Sequence, residues 1–145
     1  MDLSENRIVA SGAASLSQAL ATNSSLTSLD LRANVIGDSG GASLFQALVA
    51  NSTLTYLNLS ESDIRDFGVA SLSQALATNS ALTSLDLSGN YWIDDDHVQS
   101  LSLALAANSS LTFLGLSWNW IGGASADSLF EALATNSGFE WSRYW

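Results

Sequence analysis

Ala14 to Leu31 reads ASLSQALATNSSLTSLDL, and Ala70 to Leu87 reads ASLSQALATNSALTSLDL. The two stretches differ only at Ser25 against Ala81. Self-similarity at a fixed period decides an architecture before any single helix or strand does. Working outward from this pair, Leu26, Leu54, Leu82, Leu111 and Phe139 open successive units, spaced by 28, 28, 29 and 28 residues. Upstream, Leu3, Asn6 and Ile8 match Leu31, Asn34 and Ile36 one period later, so the first unit is cut short. Residues 1–145 therefore read as one domain, an array of about four and a half units with no linker and no clear caps.

Each unit has two halves of different period. The first is LTSLDLRAN at Leu26 to Asn34, which recurs as LTYLNLSES, LTSLDLSGN and LTFLGLSWN. Its fourth and sixth positions are leucines, which a short strand places on one side because strand side chains alternate. The second half is GGASLFQALVAN at Gly40 to Asn51. Ala42, Leu44, Ala47 and Leu48 fall on one face of a helix by their three-and-four spacing. Asp38 or Ser39 is the expected N-cap, and the Asn-Ser pairs at 51–52, 79–80 and 108–109 mark the helix exit. Strand, turn, helix and turn make one coil of a solenoid. A single coil cannot bury its leucines, whereas stacked coils can. Successive strands then run parallel, about 4.8 Å apart. Helices are wider than strands, so the stack should curve with the strands on its inner wall.

The pattern LxxLxLxxNxI, followed by LxxAL and an Asn, resembles the leucine-rich repeat, in its ribonuclease-inhibitor-like subclass of 28–29-residue units. The match spans essentially the whole chain in register. The resemblance implies an α/β solenoid, a right-handed β-α superhelix shaped as a horseshoe, with a parallel sheet on the concave face and α-helices outside. It also implies a buried ladder of Asn6, Asn34, Asn90 and Asn119. A buried amide must be hydrogen-bonded, or it costs roughly 1–3 kcal/mol. The third unit departs with Ser62 in the Asn place, where a shorter rung and a looser turn or a water are expected. The fourth departs too: Asn90-Tyr91-Trp92-Ile93 holds one residue more than Asn34-Val35-Ile36, a bulge after the strand, and His97 stands where other units have Gly12, Gly40 and Gly68. In the last unit Phe139 keeps the first leucine place but Ser142 takes the second.

Comparing the units with one another, the helices and inward leucines are nearly constant. Variation gathers at a few strand and post-strand positions. Position three holds Ser28, Tyr56, Ser84 and Phe113, and position five holds Asp2, Asp30, Asn58, Asp86 and Gly115. Position seven holds Ser4, Arg32, Ser60, Ser88 and Ser117; position eight holds Glu5, Ala33, Glu61, Gly89 and Trp118. Position ten holds Arg7, Val35, Asp63, the pair Tyr91 and Trp92, and Trp120. Positions three, five and seven alternate with buried leucines and should face outward on the concave wall. Positions eight and ten continue onto the ascending rim. A constant scaffold with chemistry changed on one face is what a recognition surface requires. Exposed positions can also drift, but exposed helix residues such as Gln18, Gln46 and Gln74 have not. The candidate contact residues are Asp30, Arg32, Tyr56, Asn58, Glu61, Asp63, Asp86, Tyr91, Trp92, Phe113, Trp118 and Trp120. They form an acidic track toward the N-terminus and an aromatic cluster toward the C-terminus. Tryptophans of this kind serve as interface anchors or fold over the rim as local packing.

Composition bounds the function. Of 145 residues, 47% are hydrophobic and 12% charged, with no cysteine, proline or lysine and a net charge of −10. Ample apolar surface argues for a packed core. Fourteen acids against four arginines argue against nucleic acid and against anionic membrane surfaces. No run approaches the roughly 18 apolar residues of a membrane span. MDLSENRIVA has no basic-then-apolar signal, so a cytoplasmic setting is expected and the Asn-x-Ser/Thr triplets at Asn23, Asn51, Asn58 and Asn108 read as accidental sequons. With one histidine and no cysteine, no nucleophilic triad forms. His97 after Asp94, Asp95 and Asp96 lacks the loop of a calcium hand. Glycine pairs at Gly40-Gly41 and Gly122-Gly123 read as turns and not as a phosphate loop. No enzyme, metal or cofactor is expected. The reading is a protein-binding module whose partner is a protein or peptide with basic and apolar features. The alternative is a structural segment of a larger sensor, GTPase regulator or effector, associating with itself through uncapped ends.

Overall fold

A computed structural model describes residues 1–136. Phe139, Ser142 and Trp145, on which the reading of the last unit rests, lie outside the described residues. Helix and strand alternate throughout: α1 (Ala10–Thr22), β1 (Ser28–Asp30), α2 (Gly37–Leu48), β2 (Tyr56–Asn58), α3 (Asp66–Leu76), β3 (Ser84–Asp86), α4 (Asp95–Ala107), β4 (Phe113–Gly115) and α5 (Gly123–Ala134). The strands form one sheet in the order β1-β2-β3-β4. They are parallel and in register, so that Leu29 faces Leu57, Leu57 faces Leu85 and Leu85 faces Leu114. Met1–Leu3 extends the sheet by one bridge, Asp2 to Asp30. Each helix packs on the next helix and each strand on the next strand. The architecture is an α/β solenoid, as the repeat dictates.

The core runs along the axis of the stack. Leu54, Leu57, Leu59 and Ile64 are fully buried, as are Leu82, Leu85, Leu87 and Ile93 one coil later. From the helices come Leu44 and Leu48, then Leu72 and Leu76, then Leu101 and Leu105. Each removes a side chain from water worth about 1.5–3 kcal/mol, but only because a like residue lies above and below it.

Two Asn ladders staple the coils. The first is the one the resemblance implies. Asn34 Nδ2 donates to Leu3 O and Leu31 O at 2.9 Å, and its Oδ1 accepts from Ile8 N at 3.0 Å. Asn90 repeats this with Leu59 O, Leu87 O and the N–H groups of Ser62 and Ile64. Asn6 is a correction: it is exposed, and bonds only Leu3 O and Ser4 O within its own turn, since among the described residues no neighbouring carbonyl stacks beside its amide as Leu3 O stacks beside Asn34. Ser62 is fully buried but its hydroxyl reaches only Ser60 O at 3.2 Å. The turn there is altered, with Asp63 at φ +59° following Glu61 at φ +53°.

The second ladder lies at the helix exits, where sequence had shown only turns. Asn51 Nδ2 donates to Leu20 O and Asn23 O of the preceding coil, while its Oδ1 accepts from Thr53 N and Leu54 N. Asn79 and Asn108 do the same one and two coils on. All three are buried.

Helix starts differ from expectation. Neither Asp38 nor Ser39 caps α2; both lie inside it, and Ile36 precedes it without a side-chain cap. Asp38 instead reaches across to the next helix, accepting from the N–H groups of Arg65, Phe67 and Gly68. Asp95 likewise leaves α4 to accept from Gly122 N at the start of α5 at 2.7 Å. Stacking brings the starts of α3 and α5 within reach of an acid from the helix before each, where the exposed N–H groups favour negative charge.

Candidate functional site

The rim begins where the strands end. At position eight the backbone turns left-handed in every coil: Glu5 (φ 56°), Ala33 (φ 53°), Glu61 (φ 53°), Gly89 (φ 71°) and Trp118 (φ 57°). The cause is shared: in four of these coils the N–H of this residue donates to the position-seven carbonyl one coil on, as in Glu61 N to Ser88 O at 2.9 Å. Left-handed backbone costs a non-glycine residue about 1 kcal/mol or more, and only Gly89 escapes it. The turn presents the Glu61 and Trp118 side chains at the rim, both exposed.

Position five does structural work the sequence did not reveal. Asp2, Asp30, Asn58 and Asp86 each use Oδ1 to accept the N–H two residues on, from Ser4, Arg32, Ser60 and Ser88. The N–H and hydroxyl of Ser4 hold the Asp2 carboxyl below the usual carboxylate range. Asn58, expected to face outward, is only 5% exposed. It is occupied by Ser60 and by the Tyr56 hydroxyl and is removed from the candidate contacts. Ser60 and Gly115 are buried too. Asp30 and Asp86 remain half-buried, separated in the sheet by Asn58. Phe113 and Tyr56 are half-buried on their strands. Arg32 pairs with Glu5 at 3.4 Å on the surface, a contact of little energetic weight.

The aromatic cluster does come together. Trp118 is 79% exposed, Trp120 74%, Tyr91 58% and Trp92 54%. Tyr91 joins two neighbouring depressions. One, of about 320 Å³, is lined by Ser60, Glu61, Ser88, Gly89, Tyr91 and Trp118. The other, of about 300 Å³, is lined by Tyr91, Trp92, Asp94 and Trp120. Glu61 of the acidic track thus shares a concavity with the aromatics. Trp92 is both exposed and packed: the Arg65 guanidinium lies 4.5 Å from its ring centroid, and Asp63 holds that guanidinium through both carboxylate oxygens at 3.0 Å. Sequence reading passed over Arg65. Its signal was the long side chain one coil away from an inserted tryptophan.

The extra residue of the fourth coil makes this geometry. Asn90 to Ile93 close into a tight turn, with Ile93 N donating to Asn90 O at 2.9 Å. Tyr91 and Trp92 ride on that turn. In the first and third coils the isoleucine N–H at this place serves the ladder Asn of the next coil: Ile8 serves Asn34 and Ile64 serves Asn90. Here it is diverted. Asn119 keeps its donations to Leu87 O and Leu116 O, but its Oδ1 is buried with no hydrogen-bond partner. Trp120 N donates to Ile93 O at 2.9 Å, fixing Trp120 beside the turn.

His97 sits below this turn. Its Nε2 is 3.2 Å from Asp66 Oδ1, and its Nδ1 is 2.9 Å from Asp94 Oδ1 and 3.3 Å from Asp94 N. The ring completes a capping box with Asp94 at the start of α4. Among the described residues, no group of three or more His, Asp or Glu side chains is placed to hold a metal ion, and no helix is long and apolar enough to cross a membrane.

Against known proteins, the leucine-rich-repeat family model matches residues 22–45, 50–73, 78–102 and 107–130. That is well over half of the chain, and the chain belongs to the leucine-rich-repeat family. A search of curated proteins found no match. Among solved structures the chain resembles leiomodin-1 actin-binding site 2, with a TM-score of 0.78 and 21% identity over 93% of this chain and 79% of that one. It also resembles the tropomodulin C-terminal domain of Caenorhabditis elegans, with a TM-score of 0.54 and 14% identity over 88% of this chain and 92% of that one.

Proposed function

We propose that this chain is a protein-interaction module, acting as one domain, that binds a protein or peptide at its ascending rim. The observation that carries the reading is the exposure of Tyr91, Trp92, Trp118 and Trp120 side by side on an otherwise constant scaffold. Large aromatics so exposed are the residues from which interface hot spots are built, and a contiguous apolar patch marks a contact site. Glu61, Asp30, Asp86 and the net charge of −10 steer a partner with basic residues beside apolar ones. The leucine-rich-repeat family supports a binding role, as does leiomodin-1, whose matched segment is an actin-binding site. Neither neighbour's ligand passes to this chain at such identity, because function lives in sites and not in folds. Helices of 11 to 13 residues on 28-residue coils fit the ribonuclease-inhibitor-like subclass.

The test is selection of displayed peptides on the immobilised protein, followed by titration of the enriched peptides in solution. Enriched sequences should combine Arg or Lys with apolar residues. Changing Trp118 and Trp120 together to Ala should abolish their binding while shifting stability by no more than about 0.5 kcal/mol. Equal binding to the double variant, or failure to enrich any peptide, would sink the reading.

A further inference from the structure

The cavity walled by Tyr91, Trp92, Trp120 and Asp94 has a more specific chemistry than a general contact patch. We propose that it is an aromatic cage for a quaternary ammonium group, namely the side chain of a trimethylated lysine on a basic peptide. The proposal rests on the peptide-binding reading of the rim and narrows it.

Three rings and one carboxylate converge on about 300 Å³, the lower end of what ligand sites occupy. The faces of Trp and Tyr are electron-rich and attract a cation lying within about 6 Å. Of the lining groups only Asp94 carries charge. Its side chain accepts from Asp96 N at 3.1 Å and from the His97 backbone in the capping box, so it offers a ligand its negative charge more than a free hydrogen-bond acceptor. An unmodified lysine brings three N–H donors into a site whose single carboxylate already serves the helix start, so part of its hydration would be lost without replacement. A trimethylammonium has no N–H to satisfy. It exchanges water for ring faces and keeps its charge near Asp94.

Two further observations favour a cation here. Arg65 already lies on the Trp92 ring but does not line the cavity; Asp63 neutralises it and the pair braces the indole. And the cage exists because the fourth coil departs from the repeat. The added residue sets two aromatics on the rim where other coils have one side chain, at the expense of a buried acceptor, Asn119 Oδ1, left without a donor. A buried acceptor left without a donor calls for an explanation, and construction of this site supplies one. The peptide source is favoured over a small free ligand by charge. Glu61 and Tyr91 line the adjoining depression, so a chain running along the rim would meet further acid for its basic residues.

The experiment titrates the folded protein with one short Arg-containing peptide in three forms, its central lysine unmodified, trimethylated, or replaced by the neutral tert-butyl isostere. Tryptophan fluorescence and calorimetry are the readouts, with choline as a separate arm. The trimethylated form should bind roughly tenfold tighter than the unmodified one, and the isostere should lose that advantage. Trp120→Ala and deletion of Tyr91 should erase the preference. Asp94→Asn, which keeps an N-capping residue, should weaken the trimethylated form several-fold. Trp118→Ala should weaken all forms alike and leave their ratio intact. Equal affinity for the charged forms overturns the cage and leaves the peptide-binding module standing. Binding of choline without any preference among the peptides overturns the peptide source. Failure of every peptide and of choline to bind overturns both readings. Circular-dichroism melting of each variant shows that a lost preference is not lost folding.

Discussion

The second and fourth coils differ in length by a single residue, and the turn that carries Tyr91 and Trp92 follows from it. In the second coil, Val35 alone stands between Asn34 and Ile36, and both side-chain polar atoms of Asn34 are hydrogen-bonded. In the fourth, Tyr91 and Trp92 stand between Asn90 and Ile93, the turn folds on itself, and the next ladder residue loses its donor. The regular coil is built for stacking. The irregular one gives up a hydrogen bond of the stack and acquires an aromatic concavity. An insertion of one residue is tolerated because it falls after the strand. The leucines before it keep their register, and α4 restarts in phase with its neighbours.

The comparison can be broken at its base by Leu57→Asp. This puts an unpaired charge among fully buried leucines of neighbouring coils and should cost more than about 4 kcal/mol. Both coils should melt together, and circular dichroism should show an unfolded chain; a soluble folded variant would contradict the stacking register. Asn79→Ala tests the second ladder, which the two coils share. Two carbonyls and two N–H groups would lose their partners, with a loss of about 2–3 kcal/mol in urea unfolding. Deleting Tyr91 sharpens the contrast directly. The fourth coil would regain the 28-residue length, Ile93 N would be free to serve Asn119 Oδ1, and stability should rise by roughly 1–2 kcal/mol while the aromatic concavity is lost. A fall in stability would show that the inserted turn supports the coil. The smallest effect concerns acid. The Ser125 hydroxyl and the Gly122 N–H hold the Asp95 carboxyl below its ordinary value of 3.8. Its contribution is complete above that value and disappears as pH falls through the depressed one. Asp95→Asn should therefore flatten the acid limb of a melting-temperature profile below about pH 4 and leave neutral pH little changed.

Much of this was legible in the chain. The strand leucines, the helix faces and the coil boundaries follow from periodicity, because each inward position repeats the same local problem. The ladder at Asn34 and Asn90 was legible through resemblance. Asn51, Asn79 and Asn108 recur just as regularly, yet a turn explains an Asn as readily as a ladder does. Only their burial and their bonds to the preceding coil separate the two. Asp38 looked like a cap for its own helix, since a cap is a local feature. Asn58 looked outward by strand alternation, but the Ser60 turn and the Tyr56 hydroxyl cover it.

By itself, then, the sequence determined that the chain coils with a constant outline and that its variable residues gather after the strands, since both are properties of spacing along one chain. The tertiary structure decided which acids cap the next helix, which Asn lost its donor and which aromatics share a cavity. Those are relations between residues about 28 positions apart in sequence that meet only because the coils stack.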